Sequence, residues 1–172
     1  MGLTGVITFK GNPMTLNGDD LAVKADAPDF TVLYADGGIQ PLTKADLAGK
    51  PTLISVVPSL DTPVCATQTK HFHEALASIG DAINAVTISR DLPFAQARFC
   101  GAENVSMRTG SDYKDHGFGK AFGVEIDELG LLTRAVFVLD ADGKVAYKEV
   151  VAEVTDEPDY DAALAAIRML LS

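Results

Sequence analysis

The chain has 172 residues and a net charge of −10, with 24 acidic against 14 basic side chains. That length suits one domain, 1–172, with a core of its own, and the acidic balance excludes a phosphate-neutralising or polybasic lipid-binding surface. Two cysteines are too few for a secreted disulfide framework. No stretch nears the ~18 apolar residues of a membrane span, and Met1–Val6 carries neither a charged n-region nor a myristoylation signal. A cytoplasmic location is the expectation.

In chain order, Val6–Phe9 and the stretch after Gly11-Asn12-Pro13 predict a hairpin, an N-terminal extension over roughly 1–27. Pro28–Leu33 predicts a short extended segment closed by Asp36-Gly37-Gly38. Thr43–Pro51 predicts a cap, one short turn of helix and a Gly-x-Pro stop. Leu53–Val57 is a hydrophobic run that predicts a buried strand ending at Pro58. Pro63–Ile79 predicts a helix with Phe72, Ala75, Leu76 and Ile79 on one face. Ile83–Ile88 predicts a strand and Asp91–Cys100 a helix, with Asp91 and Pro93 as start signals and Gly101 as the stop. Ser111–Phe122 reads as a helix broken by Gly117 and Gly119. Arg134–Leu139 and Val145–Val151 predict strands joined at Asp140-Ala141-Asp142-Gly143, and Tyr160–Leu171 a closing helix. Strand, helix, strand implies a parallel pair. Followed by a hairpin and a terminal helix, it gives the order of an α/β thioredoxin-like fold, a mixed central sheet flanked by helices.

Cys65 is placed by this reading in the first turn of a helix that follows a strand. Free N–H groups and the positive helix end favour a thiolate there. Thr62 suits the N-cap and Pro63 the first helical position, which sets the Thr62 hydroxyl three residues before the sulfur. A cysteine in a helix is usually a small buried hydrophobe. Its position, Pro58, Thr62 and the second cysteine together point instead to a nucleophile. Cys100, at a helix end that frays readily, is either a small packed residue or a thiol that swings out to resolve an oxidised Cys65. Arg134 is either a solvated edge charge or a guanidinium that favours the thiolate and donates to a polar substrate oxygen. The second reading requires its strand to lie beside the one ending at Pro58. His71 and His73, two apart on a helix, point in different directions and predict no metal site. Glu125, Asp127 and Glu128 read as a solvated acidic turn.

Pro58, Thr62 and Cys65 fit the PxxxTxxC motif of the peroxiredoxins. The segments VPSLDTPVC, SRDLPFAQARFCGAE and GLLTRAVFVLD resemble the thiol peroxidase branch of that family, atypical two-cysteine enzymes, and the resemblance spans essentially the whole chain. It implies that Cys65 is the peroxidatic cysteine, that Cys100 is the resolving cysteine of the same chain, and that Pro58, Thr62 and Arg134 complete the peroxide site. It further implies reduction of hydrogen peroxide and organic hydroperoxides through a sulfenic acid and a Cys65–Cys100 disulfide. Thioredoxin would be the reductant, the assembly a homodimer, and no cofactor or metal is called for. With the two cysteines on different helices, the disulfide predicts local unfolding around residues 91–100. Two other readings stand beside this one. A cysteine hydrolase would need a base from His71, His73 or His116. A thioredoxin-fold redox sensor would use the disulfide to switch a binding surface.

Overall fold

The computed structural model describes residues 2–172. β1 (Leu3–Phe9) and β2 (Asn12–Asn17) form the expected antiparallel hairpin. Its turn falls at Lys10-Gly11, both with positive φ (50° and 80°), the two-residue geometry that matches the twist of the flanking strands. β3 (Thr31–Ala35) and β4 (Ile39–Thr43) pair antiparallel around Asp36-Gly37-Gly38. β4 escapes the sequence reading because it is a largely exposed edge strand containing Pro41. A 3₁₀ turn, Lys44–Leu47, follows, closed by a reciprocal capping box between Thr43 and Asp46.

The core unit is β5 (Thr52–Val56), α1 (Pro63–Leu76), β6 (Asn84–Ser89), α2 (Pro93–Glu103) and β7 (Arg108–Ser111), with β5, β6 and β7 parallel. Every residue of β5 is buried, which its unbroken apolar run requires of a central strand. α2 does not stop at Gly101. A glycine costs an internal helical position only about 1 kcal/mol, and the helix continues to Glu103. Asn104 ends it in the left-handed conformation (φ 54°), and the N–H groups of Asn104 and Val105 both donate to the Cys100 carbonyl.

The predicted helix over 111–122 shrinks to α3 (Gly117–Ala121). Ser111 ends β7, and the Asp112 carboxylate accepts from the N–H groups of Phe118 and Gly119, so the helix starts only there. Gly123 (φ 66°) stops it, and a side chain at Gly123 would collide with the Asp19 carbonyl. β8 (Glu125–Ile126) and β9 (Leu131–Leu132) extend the N-terminal hairpin into a small sheet, order β1-β2-β8-β9. β10 (Ala135–Leu139), β11 (Val145–Val150) and α4 (Tyr160–Leu171) close the chain as predicted.

The main sheet has seven strands in the order β11-β10-β5-β6-β7-β3-β4. One face packs against α1 and α4 through Leu53, Phe72, Leu76, Val136 and Ile167. The other is filled by Phe30, Phe118, Phe122 and Phe137, whose rings meet mostly edge to face. The carboxyl ends of parallel β5 and β6 are therefore the open end of a mixed α/β layer, and the cysteine loop leaves from there.

Candidate active site

β5 is prolonged by one bond, Val57 N–H to the Ile88 carbonyl at 3.0 Å, before buried Pro58 breaks the ladder. Thr62 is extended (φ −121°, ψ 149°) and occupies the N-cap, with Pro63 opening α1. Its side chain does not cap the helix. The hydroxyl donates instead to the Ser59 carbonyl at 2.9 Å, tightening the loop and leaving its oxygen lone pairs free to accept. With no side-chain cap and no acid in the first turn, the positive end of α1 keeps its full effect on Cys65. Cys65 is fully buried against Val57 and Leu60, with Phe99 of α2 packed over them.

β10 runs antiparallel to β5 with Ala135 opposite Val56, which sets Arg134 beside the strand that ends at Pro58. Arg134 is not a solvated edge charge: it is only 2% exposed. Each nitrogen has a partner. Nη2 donates to Cys65 Sγ at 3.4 Å, Nη1 to Gln68 Oε1 at 3.0 Å, and Nε to the Val154 carbonyl at 2.8 Å. Among the described residues no carboxylate pairs with it. A buried cation without a counter-charge favours an anion beside it, and Cys65 is the only one of its three partners that can become one.

Nothing in the sequence marks Gln68 as part of the site except its position three residues after Cys65, which puts both on one helix face. Its amide nitrogen donates to Ser55 Oγ at 2.7 Å, which turns its oxygen toward Arg134. Val154 contributes only a main-chain carbonyl, so its side chain carries no signal. The sequence predicts a helix start at Asp91, but Leu92 holds the N-cap of α2. The Asp91 carboxylate accepts instead from Ser59 Oγ (2.7 Å), Leu60 N–H (2.8 Å) and Ser89 Oγ (2.6 Å). It ties the Cys65 loop to the base of the helix that carries Cys100.

Cys100 lies inside the last turn of α2, half-buried, and burial pushes its thiol up from the ordinary value. It lines a cleft of about 700 Å³ with Tyr34, Asp36, Met107 and Arg108. A separate cavity of about 670 Å³ lies between Ser59–Asp61 and the Phe94–Phe99 side of α2. Cys65 lines neither, since Leu60 and Phe99 roof it. The structure brings Arg134 onto Cys65, sets Pro58 and Thr62 in the loop that leads into its helix, and leaves both thiols free, with Cys100 on the neighbouring helix.

Glu125 is corrected from a solvated turn to a buried carboxylate in β8 paired with Arg90. Asp127 and Glu128 are exposed, as expected. His71 is exposed and stacks on Tyr160 at 3.7 Å, and among the described residues no histidine bonds Cys65. No helix among the described residues is long and apolar enough to cross a membrane.

A buried first-turn cysteine at the end of a parallel βαβ unit, met by an arginine from the adjacent antiparallel strand, defines a thiol-redox protein of the thioredoxin-like class. The chain belongs to the Redoxin family, whose model matches residues 22–164, and within it to the thiol peroxidase branch of the peroxiredoxins. It is 52% identical to a thiol peroxidase of Bacillus subtilis over 96% of this chain and 98% of that one. It is 55% identical to one of Staphylococcus aureus over 94% and 97%. A solved peroxiredoxin-like protein of Aquifex aeolicus superposes with a TM-score of 0.89 at 39% identity, covering 98% of this chain and 99% of the other. The expected fold and family are thus borne out, and the chain is an enzyme of the peroxiredoxin type.

Proposed function

We propose that this enzyme reduces hydroperoxides, hydrogen peroxide and organic hydroperoxides alike, with Cys65 as the peroxidatic and Cys100 as the resolving cysteine. The single observation that carries the reading is the donor bond to Cys65 Sγ from buried Arg134, which no carboxylate among the described residues pairs. It stabilises the attacking sulfur as an anion, and the remaining Nη hydrogens can donate to the oxygen that departs. The Thr62 hydroxyl, its proton engaged by Ser59, accepts from the peroxide O–H and aligns it. Pro58, buried against the loop, excludes water from the sulfur.

The Cys65 thiolate attacks the hydroxyl-bearing oxygen of the peroxide. An S–O bond forms, the O–O bond breaks, and the alkoxide or hydroxide leaves to take a proton from water, while the sulfur is oxidised to a sulfenic acid. The Cys100 thiol then displaces water, forming the Cys65–Cys100 disulfide. Thioredoxin, whose resting dithiol supplies two electrons, restores both thiols by exchange. We place the reaction in the cytoplasm, in a homodimer. Exposed Phe94, which lines one cavity with Ser59–Asp61, and its neighbour Leu92 are apolar side chains that such a contact could cover.

Intact mass after one equivalent of peroxide tests the assignment. Wild type loses two hydrogens, Cys100→Ser gains oxygen, and Cys65→Ser shows no fast change. Rapid oxidation of Cys65→Ser, or a disulfide-linked pair of chains in wild type, would refute it. Catalytic turnover with thioredoxin supports the enzyme, whereas one slow stoichiometric oxidation would favour the redox-sensor alternative.

A further inference from the structure

The β1–β2 hairpin lies outside the 22–164 region matched by the family model, yet it reaches the guanidinium of Arg134 through two steps. The segment after β11 wraps that residue: Val151 N–H donates to the Arg134 carbonyl at 3.0 Å, and the Val154 carbonyl accepts from Arg134 Nε at 2.8 Å. The hairpin in turn grips this segment. Thr8 N–H donates to the Ala152 carbonyl (2.7 Å), and Val154 N–H donates to the Thr8 carbonyl (2.8 Å). Between them sits Glu153, whose carboxylate accepts from Thr8 Oγ1 (3.0 Å), Lys10 N–H (3.2 Å) and Gly11 N–H (2.8 Å) of the hairpin. It also accepts from the N–H and hydroxyl of Thr155 (2.9 and 2.7 Å). The Val154 side chain is buried with Ile7, Leu16 and Ile126, so the same residue is pinned from its apolar side.

We propose that Glu153 is a positioning residue for the site: it clasps the N-terminal hairpin to the Val151–Thr155 segment and so fixes the carbonyl that aims Arg134 at Cys65. The proposal rests on the peroxidase reading for its kinetic consequence, but not for its structural one. An arginine held by two side chains of α1 and by the Val154 carbonyl of the segment after β11 has its planar fork fully specified. Loosening Val154 leaves Nη1 on Gln68 but lets the plane rotate, and the Nη2 bond to sulfur is lost to angle before it is lost to distance.

Two measurements on the full-length protein decide it. In nitrogen-15 NMR, the Nε–H of Arg134 should exchange slowly with solvent in wild type, at least tenfold faster in Glu153→Ala, and at an intermediate rate in Glu153→Gln. The rate of Cys65 oxidation by hydrogen peroxide, read by quenched-flow mass analysis, should fall about tenfold in Glu153→Ala. In an Arg134→Ala background the same substitution should change it less than twofold, because the two residues act through one contact. Thr8→Val, which removes only one hydroxyl from the clasp, gives the same comparison should Glu153→Ala fold poorly. Unchanged Nε–H exchange in these variants overturns the proposal, as does an undiminished kinetic loss on top of Arg134→Ala. A wild type that is not oxidised by peroxide would refute the peroxidase reading, and the exchange measurement would still decide the role of the hairpin.

Discussion

Arg134 and Cys65 are written into the sequence unequally. Cys65, Thr62 and Pro58 sit within one strand-to-helix turn, so their relation follows from local rules of capping and helix starts. Arg134 is as easily an edge charge, and only the pairing of Ala135 with Val56 decides otherwise. Its other two partners divide the same way. Gln68 is recoverable from helix spacing, but the Val154 carbonyl belongs to a backbone atom that every residue possesses. Glu153 shows the same limit, since an acid in a polar stretch gives no sign that it accepts five hydrogen bonds. Those bonds, led by Thr155 and Gly11 N–H, hold its carboxyl down at about 2 from an ordinary 4.5. A carboxylate depressed in the folded state stabilises the fold above its unfolded value, and that contribution disappears as pH falls through the folded one. Wild type should therefore melt higher than Glu153→Gln at pH 6–7, and the gap should close between about pH 4.5 and 2. Thermal melts of the two proteins across that range check this; a gap that is constant with pH would assign the difference to shape rather than charge.

At the scale of elements, the central strands and the two long helices are legible because hydrophobic periodicity and burial agree in them. The failures fall where a tertiary partner overrides the local pattern. Asp112 delays α3 by offering its carboxylate to the Phe118 and Gly119 N–H groups, and Asn104 rather than Gly101 ends α2. The start of α2 is the instructive case. An Asp before Leu-Pro reads as a helix start signal, yet its carboxylate spans from Ser89 to Ser59 and Leu60, joining the loop of one cysteine to the helix of the other. Hydrogen bonds to a charged acceptor contribute about 1.5–3 kcal/mol each, so removing all three should open this junction. In Asp91→Ala the amides of residues 59–62 and 94–96 should exchange at least tenfold faster, a change of about 1.4 kcal/mol in the opening equilibrium. Disulfide formation after peroxide should accelerate with it. Faster exchange without faster disulfide formation would mean that opening does not limit the second step.

For the whole molecule, the seven-stranded sheet is the fixed frame and the two cysteine-bearing ends of helices are its adjustable margin. Cys65 is sealed by Leu60 and Phe99, while Cys100 opens on a different cleft and has its carbonyl engaged by the helix cap. A bond between the sulfurs requires Cα atoms within about 7 Å and facing Cβ atoms, so it asks both margins to give way. The frame does not need to follow. β5, β6 and β10 are held by continuous ladders with fully buried residues at their centre, and opening of such strands approaches the cost of global unfolding. Amide exchange in the reduced and oxidised protein should therefore differ sharply at about residues 58–67 and 91–104. It should agree within error along 52–56, 84–89 and 135–139. Equal protection around 91–104 in both forms would remove local unfolding from the mechanism. Loss of protection along the central strands would instead make the disulfide a switch of the entire fold.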